Sequence, residues 1–154
     1  MCIRDSDSAS LFSHVISINS KSWIAYNNLA LLEMQEGRLG DAERHFRQTI
    51  ALFPSEWKPY YNLARVLREQ GRAGDARLPH AQAMKILAEL NIRYDPEKPD
   101  GYFGLGQALE MLDDRAGAIA SYEHAQFIQP GEHRSAEALA RLRTPDTSAP
   151  TPMP

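Results

Sequence analysis

The sequence predicts an all-α chain of stacked helix hairpins, a solenoid, on three observations. Small and bulky residues return at a fixed period of thirty-four. The apolar residues between them fall at i, i+3, i+4 spacing, the mark of helices with one buried stripe. Glycine, aspartate and proline stand at the offsets where a hairpin must bend and end.

The period is read directly from the residues. Leu29, Gly37, Ala42, Phe46 and Pro54 are followed thirty-four positions later by Leu63, Gly71, Ala76, His80 and Ala88. Starting again at Pro99, the same offsets give Leu105, Asp113, Ala118, Tyr122 and Pro130. Repetition at this length signals units that each bury one face against a neighbour.

Residues 1–6, Met1-Cys2-Ile3-Arg4-Asp5-Ser6, resemble the translation of a transposon-end sequencing adapter and are set aside as a scar. The single cysteine, Cys2, goes with them, and the native amino terminus is expected to lie upstream. Residues 7–22 read as the closing helix of a preceding unit cut in mid-repeat. Leu11, Phe12, Val15, Ile16 and Ile18 are its expected core positions, and Phe12 stands thirty-four before Phe46.

Residues 23–56 form the first full unit, with helices expected over about 23–36 and 39–53. A small residue at Ala42 lets the second helix approach the first, and Pro54 ends the unit because it has no amide proton to continue a helix. Residues 57–98 form the second unit, its first helix over about 57–70. Its second helix holds two irregularities. Pro79 falls either inside it, at a cost of about 3 kcal/mol, or in its first turn, where proline is tolerated. Eight extra residues precede the next unit, since Trp57 to Pro99 spans forty-two positions; they are expected to add about two helical turns before Asp95-Pro96 breaks the chain.

Residues 99–132 form the third unit, with helices over about 100–112 and 116–128 and Asp113-Asp114 at the bend. Residues 133–143 offer one more helix that closes the stack, with Ala136, Leu139, Ala140 and Leu142 at repeat offsets. Residues 144–154 are rich in Pro, Thr and Ser and are expected to be disordered.

Composition narrows the function. The chain is 43% hydrophobic and 24% charged with a formal net charge of −3, so no bulk charge points to nucleic acid. The longest apolar run, from Ile24 to Leu32, is far short of the roughly twenty residues a membrane helix needs. His14, His45, His80, His124 and His133 lie on different helices with no i, i+4 pair for a metal. Glu110, Asp113 and Asp114 cluster, but two of them sit at a turn and suit helix capping. No phosphate loop or nucleophile elbow is present. The expectation is therefore a non-enzyme with no cofactor and no metal.

The triplets Tyr26-Leu29-Ala30, Tyr60-Leu63-Ala64 and Tyr102-Leu105-Gly106 resemble the signature of the tetratricopeptide repeat. The resemblance covers about residues 8–143 and implies a right-handed superhelix of helix pairs whose concave surface binds a protein or peptide. On that surface it places Asn27, then Lys58, Tyr61, Arg65 and Arg68, then Phe103 and Gln107, with Lys58, Arg65 and Arg68 suited to an acidic ligand. The lysine and asparagine clamp that some members use for a terminal carboxylate is not matched, because Ile24 and Asn27 stand where its residues are needed. Asn28 and Asn62, one period apart, are expected to brace the helix pairs.

A second resemblance gives an alternative. Leu11-Phe12, Asn19 and the run Ser22 to Leu29 look like the junction in membrane-bound glycosyltransferases of the protein O-mannosyltransferase type. That resemblance implies a substrate-recruiting tail whose catalytic part is missing. The compartment stays open in both readings.

Overall fold

A computed structural model describes residues 3–144 of the chain, with side chains from Ser8 onward. The described residues form eight helices and no strand: α1 (Ile3–Ile18), α2 (Trp23–Gln35), α3 (Leu39–Leu52), α4 (Trp57–Glu69), α5 (Arg77–Tyr94), α6 (Pro99–Met111), α7 (Arg115–Ile128) and α8 (His133–Arg143). They gather into two compact units, residues 1–87 and 88–154, with α5 contributing to each. Cys2 and the tail 145–154 lie outside the described residues. Ile3 to Ser6 belong to α1, so that helix begins inside the segment set aside as a scar.

The bends carry the period most clearly. Gly37, Gly71 and Asp113 stand at one repeat offset and have φ of 75°, 78° and 62°. At each, two backbone bonds close the preceding helix: Gly37 N to Met34 O and Arg38 N to Glu33 O, Gly71 N to Arg68 O and Arg72 N to Leu67 O, Asp113 N to Glu110 O and Asp114 N to Leu109 O. This is the Schellman pattern, which pairs carbonyls otherwise orphaned at a helix end and demands one left-handed residue. Glycine supplies it without strain, and aspartate is among the side chains that tolerate it. Asp114 then caps α7 by accepting from Gly117 N at 2.9 Å, as expected of an aspartate there.

In the first unit α1 packs on α2, α2 on α3 and α3 on α4. The core centres on Ala30, Ala42, Phe46, Leu63, Ala64 and Leu67. Ala42 and Ala76, the small residues of the repeat, are 0% and 1% exposed. Phe46, four residues beyond Ala42, is also fully buried, worth about 1.5–3 kcal/mol in removed apolar surface. Helix α1 corrects one expectation. Phe12, Val15 and Ile16 are half-buried, but Leu11 and Ile18 are 57% and 74% exposed. Seven residues apart, these two share the face of α1 turned away from α2.

Helix α5 resolves the proline. It starts at Arg77, which puts Pro79 in its first turn, where a missing amide costs little. At its far end it runs eight residues past the offset at which α3 stops, the two extra turns that the insertion supplies.

In the second unit α6 packs on α7 and α7 on α8 around Leu109, Ala118, Tyr122, Ala138 and Leu139. Gly106 stands where the first two repeats have Ala30 and Ala64. A Cβ there would fall 2.5 Å from the ring of Tyr122, so only glycine admits this tyrosine. Its hydroxyl donates to Oε1 of Glu110 at 2.5 Å, and Arg141 of α8 holds the same carboxylate through bonds of 2.8 and 2.7 Å. Burial, then the bond to Glu110, pushes the Tyr122 phenol far above its ordinary value. In α8, Leu139 is buried as expected, whereas Ala136 and Ala140 are exposed. In the full repeats those offsets face the partner helix of the hairpin, which α8 does not have among the described residues.

Candidate binding surface

The side chains expected to form a ligand surface divide between the two units, and each half is a surface of its own. The larger half lies on α4. Lys58, Tyr61, Arg65 and Arg68 follow one another at i, i+3, i+7 and i+10, which on a helix of 3.6 residues per turn is a single face. All four are exposed. That face is free because Leu63, Ala64, Val66 and Leu67 supply the buried side of the same helix.

The aromatic groups of this face are held in place. The Trp57 and Tyr61 rings meet edge to face with centroids 6.3 Å apart, and the Lys58 ammonium lies 5.9 Å over the Trp57 ring. Tyr61, 41% exposed, also leans on His80 of α5 at 6.4 Å. Burial, then the charge of Arg68, holds the His80 imidazole below its ordinary value. A neutral ring therefore backs this basic face and adds no charge to it.

The cations of α4 differ from most other arginines of the chain. Arg38, Arg44, Arg47, Arg72, Arg134, Arg141 and Arg143 each pair with a carboxylate of this chain. Arg65 makes only a long contact of 3.9 Å with Glu69. Among the described residues, no carboxylate comes within bridging distance of Lys58 or Arg68.

The remaining expected positions are less open. Asn27 is half-buried on α2; its Nδ2 donates to Asn28 Oδ1 at 3.5 Å, while its own Oδ1 is buried without a partner. In the second unit Gln107 is exposed, but Phe103 is half-buried between the Tyr122 ring at 5.6 Å and the Arg134 guanidinium at 4.5 Å. The charge on Arg134, and hence this cover, was not among the expectations.

The carboxylates near residue 110 perform structural tasks: Glu110 binds Tyr122 and Arg141, and Asp114 caps a helix. Among the described residues no three His, Cys, Asp or Glu gather as a metal would require, and no helix is long and apolar enough to cross a membrane. One contact escaped sequence reasoning. Glu33 and His45 meet at 2.6 Å in the first unit, and the period itself held the signal, since thirty-four residues beyond Glu33 stands Leu67.

With this geometry in view, comparison with known proteins adds a family match over part of the chain. Residues 27–91 match the tetratricopeptide repeat. They are tetratricopeptide repeats. The match takes in α3, α4 and most of α2 and α5, including the basic face. Among solved structures, MamA from Desulfovibrio magneticus RS-1 is 16% identical, with 90% of this chain and 73% of that chain covered and a TM-score of 0.47. YrrB, described as a TPR protein with an unusual peptide-binding site, is 15% identical over 88% of this chain and 83% of its own, with a TM-score of 0.44. The Arabidopsis OM64 TPR domain is 21% identical over 79% and 94%, with a TM-score of 0.42. No curated protein matches the chain.

Proposed function

We propose that this tetratricopeptide-repeat segment is a protein-interaction module that performs no chemistry and binds an acidic segment of a partner along α4. The observation that carries the reading is the set Lys58, Arg65 and Arg68. These cations line one exposed face on which Arg65 has a 3.9 Å contact with Glu69, while most other arginines of the chain pair closely with its own carboxylates. Tyr61, rigid on Trp57 and His80, supplies an amphipathic contact between them. Guanidinium groups suit carboxylates because they present two parallel donors.

The test is fluorescence anisotropy with labelled decapeptides of acidic, neutral and basic sequence. Acidic peptides bind best, binding weakens with salt, and the Arg65→Glu/Arg68→Glu variant loses at least about tenfold in affinity while keeping its helicity. Equal binding by that variant, or no preference for acidic peptides, removes α4 from the site.

A second reading rests on the run from Ser22 to Leu29 and its resemblance to the junction of O-mannosyltransferase-type enzymes. In it the same face recruits the protein substrate of a transferase. Coding sequence upstream that specifies many apolar spans favours this reading, and further repeats favour the first.

A further inference from the structure

Glu33 breaks the core pattern of the repeat. Its counterparts at the same offset are Leu67 and Leu109, both buried. Glu33 is buried as deeply, at 3% exposure, so the first repeat sinks a carboxylate where the other two sink an aliphatic chain. His45 is equally individual, since Pro79 and Ser121 hold its offset elsewhere. The carboxylate is fully engaged: Nδ1 of His45 lies 2.6 Å from Oε2, and Arg38 donates to Oε1 at 3.2 Å. A buried ion pair seldom stabilises a fold more than a hydrophobic side chain of similar volume. Packing therefore gives no reason for the exchange, and departures from a local pattern of this kind concentrate at functional sites.

The pair borders an open cleft of about 560 Å³ lined by residues of α1, α2 and α3, a volume in the range of small-molecule pockets. Ile16 and Leu29 give it an apolar wall, while Ser10, Ser13, Arg44 and His45 give it a polar one. Oε2 of Glu33 pairs with Nδ1 of His45, which fixes the ring and leaves Nε2 as the atom available to a ligand. Arg44 keeps donors in reserve: it is 67% exposed, and its partner Asp41, at 2.9 Å, also serves Arg38 at 3.4 Å. Asp41 also borders the cavity, and these two guanidiniums offset its charge.

We propose that this cavity binds a small organic carboxylate. Its charged end is held by the guanidinium of Arg44 and by a hydrogen bond from Nε2 of His45. Its short apolar body lies against Ile16 and Leu29. Glu33 does not touch the ligand. It positions His45.

The test is a long-range ¹H–¹⁵N NMR titration of the whole chain with sodium butyrate, using butyramide as the uncharged control. Butyrate shifts the His45 Nε2 resonance saturably below about 50 mM, whereas butyramide does not. Arg44→Ala weakens the titration at least about tenfold. Glu33→Leu restores the leucine of the repeat, so it keeps the helical signal, raises the melting temperature and abolishes the butyrate response. A non-saturating shift, an equal response to butyramide, or undiminished butyrate binding by Glu33→Leu overturns the proposal.

Discussion

Arg134 stands one repeat period after Asp100, and its guanidinium reaches back to that carboxylate across 2.6 Å. The two residues hold the same offset on α6 and α8, so the bridge joins equivalent points of helices one repeat apart. The Arg134 guanidinium also lies over Phe103 and bonds Glu132 at 2.5 Å. A charged side chain of α8 thus covers an aromatic ring that the family resemblance offered as ligand surface.

Removing the two partners should therefore have unequal effects. Both are more than half exposed, at 73% and 55%, so the ion pair alone is worth about 0–1 kcal/mol. We expect Asp100→Ala to cost less than about 0.5 kcal/mol. Arg134→Ala also uncovers Phe103 and strips Glu132 of a bond, and should cost about 1–2 kcal/mol. Urea midpoints at low and high salt distinguish the two, and equal losses would show that the ring gains nothing from its cover.

The bend glycines offer a clean measure of backbone strain. Gly37 has φ of 75° and no heavy atom within 4 Å of a built Cβ. Gly37→Ala therefore meets no clash, and its whole cost is the left-handed conformation, about 1–2 kcal/mol. Gly71→Ala should match it. A thermal melt that leaves either variant unchanged contradicts the turn geometry.

Ala118 is fully buried where α6 and α7 meet. Ala118→Phe overpacks that contact and should cost about 1–3 kcal/mol. Calorimetry of the variant gives the value directly, and an unaltered melting temperature places residue 118 outside the interface.

Acid should loosen the second unit through Glu132. Burial pushes this carboxyl upward, but hydrogen bonds from Ser135 and Arg134 outweigh it and bring it to about 2 from an ordinary 4.5. Because the folded value is the lower one, the unfolded chain binds the extra proton. The stabilisation is complete above pH 4.5 and disappears as pH falls toward 2. Glu132→Gln should flatten that part of the acid unfolding curve, while losing about 1 kcal/mol at neutral pH through a weaker cap. A curve parallel to the parent's below pH 4.5 rejects the assignment.

What was legible in the sequence is what the period repeats. Ala42, Ala76 and Ala118 are buried, and Gly37, Gly71 and Asp113 turn left-handed, because those offsets answer local demands present in every hairpin. Less legible were residues whose surroundings differ from the repeat. Leu11 and Ile18 are apolar yet exposed, on a side of α1 that nothing covers among the described residues. Ala136 and Ala140 match the pattern but meet no partner helix among the described residues. Of the candidate surface, the family resemblance named Lys58, Tyr61, Arg65 and Arg68, and their exposure on α4 agrees with helical spacing, which sets these positions on one side of the helix. The exposure expected of Phe103 is not met, since its cover arrives from Arg134 on another helix. Glu33 and His45 lie twelve residues apart on facing helices, and helical spacing within either one gives no hint of the pair.

The ring of Tyr122 over Gly106 sets an order on how this chain can evolve. Substitution at 106 is closed while the tyrosine remains, and shrinking residue 122 first abandons the hydroxyl that Glu110 and Arg141 share. Homologues should accordingly show these two sites changing together, with glycine surviving wherever the aromatic does and alanine returning only beside a smaller neighbour.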